Sequence, residues 1–373
     1  MLQGSDRLRF RYSKRLELKE LVRRCQMLAF VYRSSFVGSV YCGSAWIVMN
    51  FNIGDGCNIG VIGTGRIANS QLVPALNQVS GARFWSVLSR DKDRAESFAA
   101  QHGAKAQYNA FDSLASFLAD PALDAVVIAT PDGLHAQHAI ASARAGKHVL
   151  LEKPMATSLE DAQEICDACA RERVKLAIAY HMRWHDGHQK VANMLHNGEL
   201  GTPHYARAVW TWKADDNHDW RAHEEHGRWW GLAGVGTHCV DFLRWMLLPV
   251  SGEVTGVTSL IDKSTYGGPH DETASLSLQF GDSVIADVMT SVKFSAPSRF
   301  ELCCADATVI GEGTLATNGG GSIKINDEPL KFDVHNPYLG EIQNFVDAIA
   351  GSTRVAVSGA EGVRNIEILL QAD

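Results

Sequence analysis

The stretch Ile59-Gly60-Val61-Ile62-Gly63-Thr64-Gly65-Arg66-Ile67-Ala68 limits what this chain can fold into more than any other. An apolar run breaks into a tight glycine turn, and a helical pattern follows. Gly63 supplies the positive φ that the turn needs, and Gly65 lets the backbone come close to a bound group. Ala68 is small enough for the helix to pack against the strand. A helix that opens here aims unpaired N–H groups and a positive dipole end at an anion, which for a G-x-G-x-x-A turn is a dinucleotide diphosphate. Gly63, Thr64, Gly65, Arg66 and Ile67 are therefore the first candidate binding residues. The motif alone is weak, because glycine turns are common. Its context decides.

From Cys57 onward strands and helices alternate. Asn58–Ile62, Arg83–Leu88, Ala125–Ala129, His148–Leu151 and Lys175–Ala179 read as strands. Helical patterns fill Ile67–Val79, Arg94–His102, Leu114–Leu118, His135–Ala145 and Leu159–Arg173. The run Ala-Val-Val-Ile-Ala at 125–129 is continuously apolar, as a strand buried on both faces must be. This rhythm predicts a doubly wound parallel sheet of the Rossmann kind over residues 57–182. The glycine turn thus falls between a strand and a helix, the setting that gives the motif weight. After residue 183 strand-like stretches dominate, among them Tyr205–Trp212, Val254–Ile261, Ala274–Phe280, Val284–Ser291 and Phe300–Cys304. Short turns such as Phe280-Gly281-Asp282-Ser283 predict a mostly antiparallel sheet, and helices are expected at Val235–Leu247, Tyr338–Ala350 and Glu361–Leu370. The fold expected is α/β followed by α+β, with residues 183–373 forming a substrate and oligomerisation domain.

Residues 1–48 differ from the rest. They carry a net charge of +6 and leave −13 for the remainder. Three readings compete for this basic segment: a targeting segment, a nucleic-acid arm, and an extension outside the fold. The segment Phe30–Val48 is interrupted by Arg33 and several Ser and Gly, too polar for a membrane span. No pattern supports a nucleic-acid arm. The extension is the reading adopted, with little order expected in it and Met49 a natural start just ahead of the first strand. The overall balance, −7 with 21% charged residues, gives no reason to invoke nucleic acid or a membrane as partner. The eight cysteines are scattered, and Cys166-x-x-Cys169 lacks a second pair at zinc-ligand spacing. Free thiols, no metal and a cytoplasmic protein are expected.

The second strand ends Val87-Leu88-Ser89-Arg90-Asp91. An acid at this strand end binds the adenosine ribose hydroxyls of NAD, whereas an Arg accommodates the 2′-phosphate of NADP. With Ser89 at the strand end, Arg90 beside it and Arg94 one turn on, NADP(H) is the cofactor expected. Asp91 would restore the acid if the register moved by one residue, so NAD(H) is the alternative.

The most specific segment is Gly146-Lys147-His148-Val149-Leu150-Leu151-Glu152-Lys153-Pro154. A Lys at the C-terminal end of a parallel strand lies on the edge where ligands bind, and Pro154 biases it toward an extended backbone. Together with Ala129-Thr130-Pro131, His135, Arg183, Leu200-Gly201, Trp220-Arg221 and Gly236-Thr237-His238-x-x-Asp241, it resembles the signature of the glucose–fructose oxidoreductase / inositol dehydrogenase / rhizopine-catabolism oxidoreductase family. The collinear match spans nearly all of residues 57–373. The resemblance implies an NAD(P)-dependent dehydrogenase or reductase of sugars, cyclitols or related polyhydroxylated compounds, assembled as a homodimer or homotetramer. It implies cofactor contacts from Thr130, Pro131, His135, Glu152 and Lys153, with Arg183 either structural or cofactor-binding. It also implies that Lys153 contacts the substrate hydroxyl and that His238 is the general acid/base. Imidazole suits that task because its ordinary pKa of about 6.5 is near working pH.

Two departures from the family pattern stand out. Many catalytic members carry Asp four residues before the His, and here that position is Gly234. Asp132 stands where Asn is usual, and it is placed to cap the next helix. The chain also ends a little earlier than is common in the family, which would fit a shortened C-terminus. The loop from Trp210 to Trp230 holds five tryptophans, with His218, His223 and His226 among acids. Indole faces suit a sugar pocket, and they suit domain or subunit packing equally. Tyr180 and His181 follow a strand end and are expected, with Trp220, to reach the nicotinamide or the substrate. Gly234 keeps open a non-catalytic dinucleotide-responsive regulator of the same fold, and the family's NAD-dependent glycosidase branch is a third reading.

Overall fold

The computed structural model describes residues 56–218, 220–223 and 227–373, together with the backbone of three strands nearer the start. Those are β1 (Arg9–Phe10), β2 (Phe36–Cys42) and β3 (Ala45–Phe51). They make one sheet, β1 parallel to β2 and β2 antiparallel to β3, with Cys42 opposite Ala45. Phe, Val, Tyr, Trp and Ile populate β2 and β3, and the sequence between them is Gly-Ser, a two-residue hairpin signal that the sequence reading passed over. The other residues of the basic segment, and the expectation that it lies outside the fold, fall outside the described residues. This unit and the one from Asn58 onward are separate compact units.

The second unit opens with the expected parallel sheet. Its strands are β4 (Cys57–Ile62), β5 (Ala82–Leu88), β6 (Ala110–Phe111), β7 (Ala125–Ile128), β8 (His148–Glu152) and β9 (Leu176–Ala179). They lie in the order β6-β5-β4-β7-β8-β9. The chain fills one side from β4 outward, then crosses back to β7 and fills the other. The crevice beyond the carboxyl ends of β4 and β7 is therefore the switch point where α/β sheets bind ligands. All four residues of β7 are buried, as a strand covered on both faces requires. Gly60 is required by packing, since a Cβ there would lie 2.5 Å from the Phe117 ring.

Some helices start where the sequence caps them, whereas the one at His135–Arg144 has no side-chain cap, so Asp132 does not serve it as expected. The helix after β4 is π-wound over Ala68–Leu72 and α-helical as α1 (Val73–Leu76). Asp91 caps α2 (Lys92–His102), which ends in left-handed Gly103. After α3 (Leu114–Leu118) and α4 (His135–Arg144), Ser158 caps α5 (Leu159–Glu172). The helix α6 (Asp186–His196) begins where the His185 side chain accepts from His188 N–H as its cap.

The second sheet has eight strands in the order β11-β12-β13-β10-β14-β15-β16-β17. They are β10 (Pro203–Thr211), β11 (Val254–Asp262), β12 (Thr273–Phe280), β13 (Val284–Ser291), β14 (Arg299–Cys304), β15 (Thr308–Glu312), β16 (Ser322–Ile325) and β17 (Glu328–Pro329). It is antiparallel except where β10 runs beside β13. In β12, Leu276, Leu278 and Phe280 are buried while Ser275, Ser277 and Gln279 are exposed, the period-two signature of a sheet covered on one face. The covered face carries α7 (Thr237–Ser251), which is preceded by a π-wound turn, Leu232–Gly236. The last helices, α8 (Pro337–Ile349) and α9 (Gly359–Ala372), return to the parallel sheet's side, α8 against the turn His181–Trp184 and α9 against α5 and β9. No helix among the described residues is long and apolar enough to cross a membrane.

Candidate active site

The sheet order lays the candidate residues out in a line along one edge. Ser89 follows β5, Gly63 follows β4, Thr130 and Lys153 come just after β7 and β8, and His181 comes just after β9. At about 4.8 Å per strand spacing, the line from Ser89 to His181 is roughly 19 Å long, the extent of an elongated ligand. A single cavity of about 950 Å³ follows it. Gly63 to Ile67, Ser89, Arg90, Arg94, Thr130, Pro131, His135, Glu152, Lys153, His181, Trp220 and His238 all border it.

The glycine turn is shaped for close approach. Gly63 has φ +106°, its N–H donates to Leu88 O at 2.9 Å, and a Cβ there would sit 2.6 Å from Ala129 O. At Gly65 a Cβ would meet no atom within 4 Å, so the bare backbone faces open space in the cavity. One glycine is needed by the fold and the other by whatever occupies the crevice. These residues fit a dinucleotide. Beside them, the Thr64 hydroxyl donates to Ser89 Oγ at 3.3 Å. Asp91 does not border the cavity; its carboxylate accepts from Arg94 N–H at 3.0 Å as the cap of α2.

At the middle of the line, His135 ties two loops together. Its Nδ1 lies 2.8 Å from Pro154 O and its Nε2 2.9 Å from Thr130 O. Burial pushes its pKa down to about 4, so the ring is neutral and donates to one carbonyl at a time. The Lys153–Pro154 peptide is cis. The Lys153 ammonium donates to Ala233 O at 3.1 Å and Gly234 O at 2.8 Å, both in the π-wound turn. Burial, with help from the Arg221 charge, lowers its pKa to about 8. Glu152 accepts from the Lys153 N–H at 3.1 Å, and burial raises its own pKa.

His238 closes the far end. Its ring is buried, edge-on to His181 at 4.8 Å between centroids, and beside Trp210 at 5.5 Å. Its Nδ1 has no partner among the described residues. Burial, then the charge of Lys153, holds its pKa well below 6.5. The expectation of a ring poised near neutrality is thereby corrected: His238 is a neutral imidazole at working pH. His181 stacks on Tyr338 at 4.4 Å, and burial pushes its pKa down to about 3. The position where family members carry Asp is explained by sterics, since a Cβ on Gly234 would overlap the Trp212 indole.

Comparison with known proteins agrees with this geometry. The model described as "Oxidoreductase family, NAD-binding Rossmann fold" matches residues 57–180, and "GFO/IDH/MocA C-terminal domain" matches residues 188–310. The chain is 33% identical over 318 residues to D-xylose 1-dehydrogenase (NADP(+)) 2 of Haloferax volcanii, covering 82% of this chain and 92% of that one. This chain belongs to the GFO/IDH/MocA oxidoreductase family. It is accordingly an NAD(P)-dependent oxidoreductase of that family. It is also 27% identical over 312 residues to 1,5-anhydro-D-fructose reductase of Ensifer adhaerens, covering 82% of this chain and 91% of that protein. In fold it is similar to aldose-aldose oxidoreductase from Caulobacter crescentus complexed with glycerol, with a TM-score of 0.78 at 18% identity over 84% of this chain and 96% of that one.

Within this GFO/IDH/MocA chain, two expected site residues lie elsewhere. Tyr180 is fully buried, with its hydroxyl 2.7 Å from Thr237 Oγ1 and its ring edge-on behind His238 at 5.8 Å. It buttresses the wall and does not border the cavity. Arg183 also turns inward, donating to both Asp241 oxygens at 2.9 and 2.6 Å and to Glu361 at 3.0 Å. The chain enters a tight helical turn at His181, so consecutive side chains fan out. That turn sends His181 to the cavity and Tyr180 and Arg183 to the core. Of the five tryptophans, Trp210, Trp212 and Trp220 border the cavity while Trp229 and Trp230 are buried. The Arg221 guanidinium lies 4.0 Å over the Trp220 ring and also borders the cavity. Arg221, Trp210, Trp212 and Tyr338 went unselected in the sequence; only the chemistry of the tryptophan-rich loop hinted at the first three.

Arg183 supplies a discriminating test. Arg183→Met strands the buried Asp241 carboxylate, at a cost of about 3–5 kcal/mol. Urea unfolding should show that loss, while dinucleotide affinity of the folded variant stays at the wild-type value. A large loss of affinity at unchanged stability would return Arg183 to the cofactor site.

Proposed function

We propose that this chain transfers hydride between NADP(H) and a sugar, cyclitol or related polyhydroxylated compound. The observation that carries this reading is one cavity bordered by the glycine turn, Lys153 and His238 together. Gly63 to Ile67 would hold the diphosphate, with Thr130, Pro131 and Glu152 bordering the same crevice. When bound, the nicotinamide supplies a two-electron hydride donor or acceptor. Lys153 presents a positive charge that favours alkoxide character on the reacting oxygen. His238, neutral and with an open ring nitrogen, takes the hydroxyl proton during oxidation and returns it during reduction. Trp210, Trp212 and Trp220 offer apolar faces to a sugar ring. The Ensifer and Haloferax relatives, named for a sugar-derived ketone and for xylose, support this substrate class. The free thiols at Cys166, Cys169 and Cys239 fit a reducing compartment, the cytoplasm.

Three features favour NADP(H): Ser89 sits at the strand end, Asp91 is committed to its helix cap, and Arg90 and Arg94 border the cavity. Arg90→Ala combined with Arg94→Ala should weaken NADPH binding about tenfold or more, by loss of charge-assisted contacts. NADH binding should change little; fluorescence titration with both nucleotides reads the difference, and equal losses would reject the 2′-phosphate assignment.

Turnover is tested by nicotinamide absorbance against a panel of sugars, inositols and glycosides. Lys153→Met should nearly abolish it while nucleotide affinity persists, and wild-type rates in that variant would end the mechanism. A Lys whose folded pKa is lowered to about 8 loses its proton above that pH, so activity should fall as pH rises through about 8. Leu260 and Ile285, 80% and 53% exposed, stand on the sheet face opposite α7, and a second copy packed there would give the expected dimer or tetramer. Light scattering should show more than one chain per particle, shifted toward monomer by Ile285→Glu; a wild-type monomer would reject this assembly.

A further inference from the structure

The turn that receives the Lys153 ammonium has little to hold it in shape by itself. Three of its residues from 231 to 236 are glycines, which have the most backbone freedom to lose. Its order must come from outside. It comes mainly from Asp271, in the loop just before β12. Asp271 Oδ1 accepts from Trp230 N–H at 2.8 Å and Oδ2 from Leu232 N–H at 2.7 Å, while its main-chain oxygen accepts from Gly231 N–H at 3.2 Å. Three consecutive N–H groups at the start of the π-wound turn and α7 are thus capped by one residue about 40 positions downstream. The fit is close, since a Cβ on Gly231 would lie 2.9 Å from Asp271 Oδ2. From the other side, the Thr290 hydroxyl donates to Gly231 O at 3.1 Å. One residue past this clamp, Ala233 and Gly234 turn their carbonyls to Lys153.

We propose that Asp271 is a positioning residue for Lys153, fixing through the turn at 230–232 the two carbonyls that hold the catalytic ammonium. The consequence for turnover rests on the role proposed above for Lys153; the structural coupling does not. Asp271 is buried, and desolvation raises its pKa to about 7, with the nearby Asp373 charge adding to the rise. Asp373 is itself paired with Arg228 at 3.1 Å and Lys263 at 3.5 Å. Glu272, next in the chain, accepts from Thr265 and Tyr266 N–H, and His270 precedes it. The turn contributes N–H groups and β13 contributes Thr290. As pH falls through about 7 the carboxylate takes up a proton that needs an acceptor of its own, which weakens one of its two N–H contacts. The sign separates positioning from simple support. A carboxyl whose folded pKa is raised binds its proton more tightly folded than unfolded, so its protonation favours folding while loosening the clamp. Local order at residues 230–232 should therefore fall with pH where this group's contribution to stability rises.

The test measures the Lys153 amine directly, by competitive acetylation with trace acetic anhydride and mass spectrometry, using Lys153→Met as the blank. In Asp271→Asn the amide keeps one acceptor and sets an N–H against the other donor. Lys153 then loses well-placed carbonyls that favour its charged form, and its acetylation rate near neutral pH should rise about fivefold, the worth of one hydrogen bond. NADPH affinity should stay at the wild-type value. A folded Asp271→Asn variant with wild-type Lys153 reactivity overturns the proposal, whatever substrate the protein uses. Should that variant fail to fold, amide hydrogen exchange of the wild-type protein gives the answer. Protection at Trp230 and Leu232, corrected for intrinsic exchange, should drop between about pH 8 and pH 6, and constant protection overturns the proposal equally.

Discussion

A half-buried ammonium at the junction of two sheets is the constraint on which the site depends. Lys153 leaves the parallel sheet at the end of β8, and its charge is held by two peptide carbonyls that belong to the second sheet's helix layer. Burial, then the Arg221 charge, makes this ammonium shed its proton more readily than a solvated lysine, while the two carbonyls favour its charged form. Burial keeps His238 and His181 neutral in the same wall, and the Lys153 charge adds to the effect.

Behind this wall two buried arginines are paired with acids. Arg183 meets Asp241 and Glu361, and Arg244 meets Glu253, Glu361 and Asn365. The network ties the segment after β9 to α7 and α9, so the platform under His238 is rigid where the cavity itself is polar and open. Removing Arg183 leaves the buried Asp241 carboxylate without its cation.

What the sequence disclosed follows the distance over which each feature is encoded. The glycine turn, the strand–helix rhythm, Lys153 and His238 each rest on a few consecutive residues, and they were legible. The alternative at Ser89 and Asp91 was also local, and the helix start at Lys92 commits the Asp91 carboxylate to its cap. Tyr180 was misplaced, and Arg183 took the structural one of its two expected roles, because a tight helical turn follows β9 and strand alternation does not extend through it. Tyr338 and Asp271 were invisible for another reason. Each acts across a separation of tens to hundreds of residues, and no periodicity marks it. The strands β2 and β3 were missed because a basic composition drew attention from their β-branched and aromatic content.

The indole of Trp212 occupies the volume that a side chain at position 234 would need. This couples the two positions sterically. An acid introduced at 234 collides with the ring, while a small residue at 212 alone leaves a hole beside the ammonium's carbonyl partners. The glycine at 234 and the indole at 212 thus share one volume beside the carbonyls that hold the ammonium.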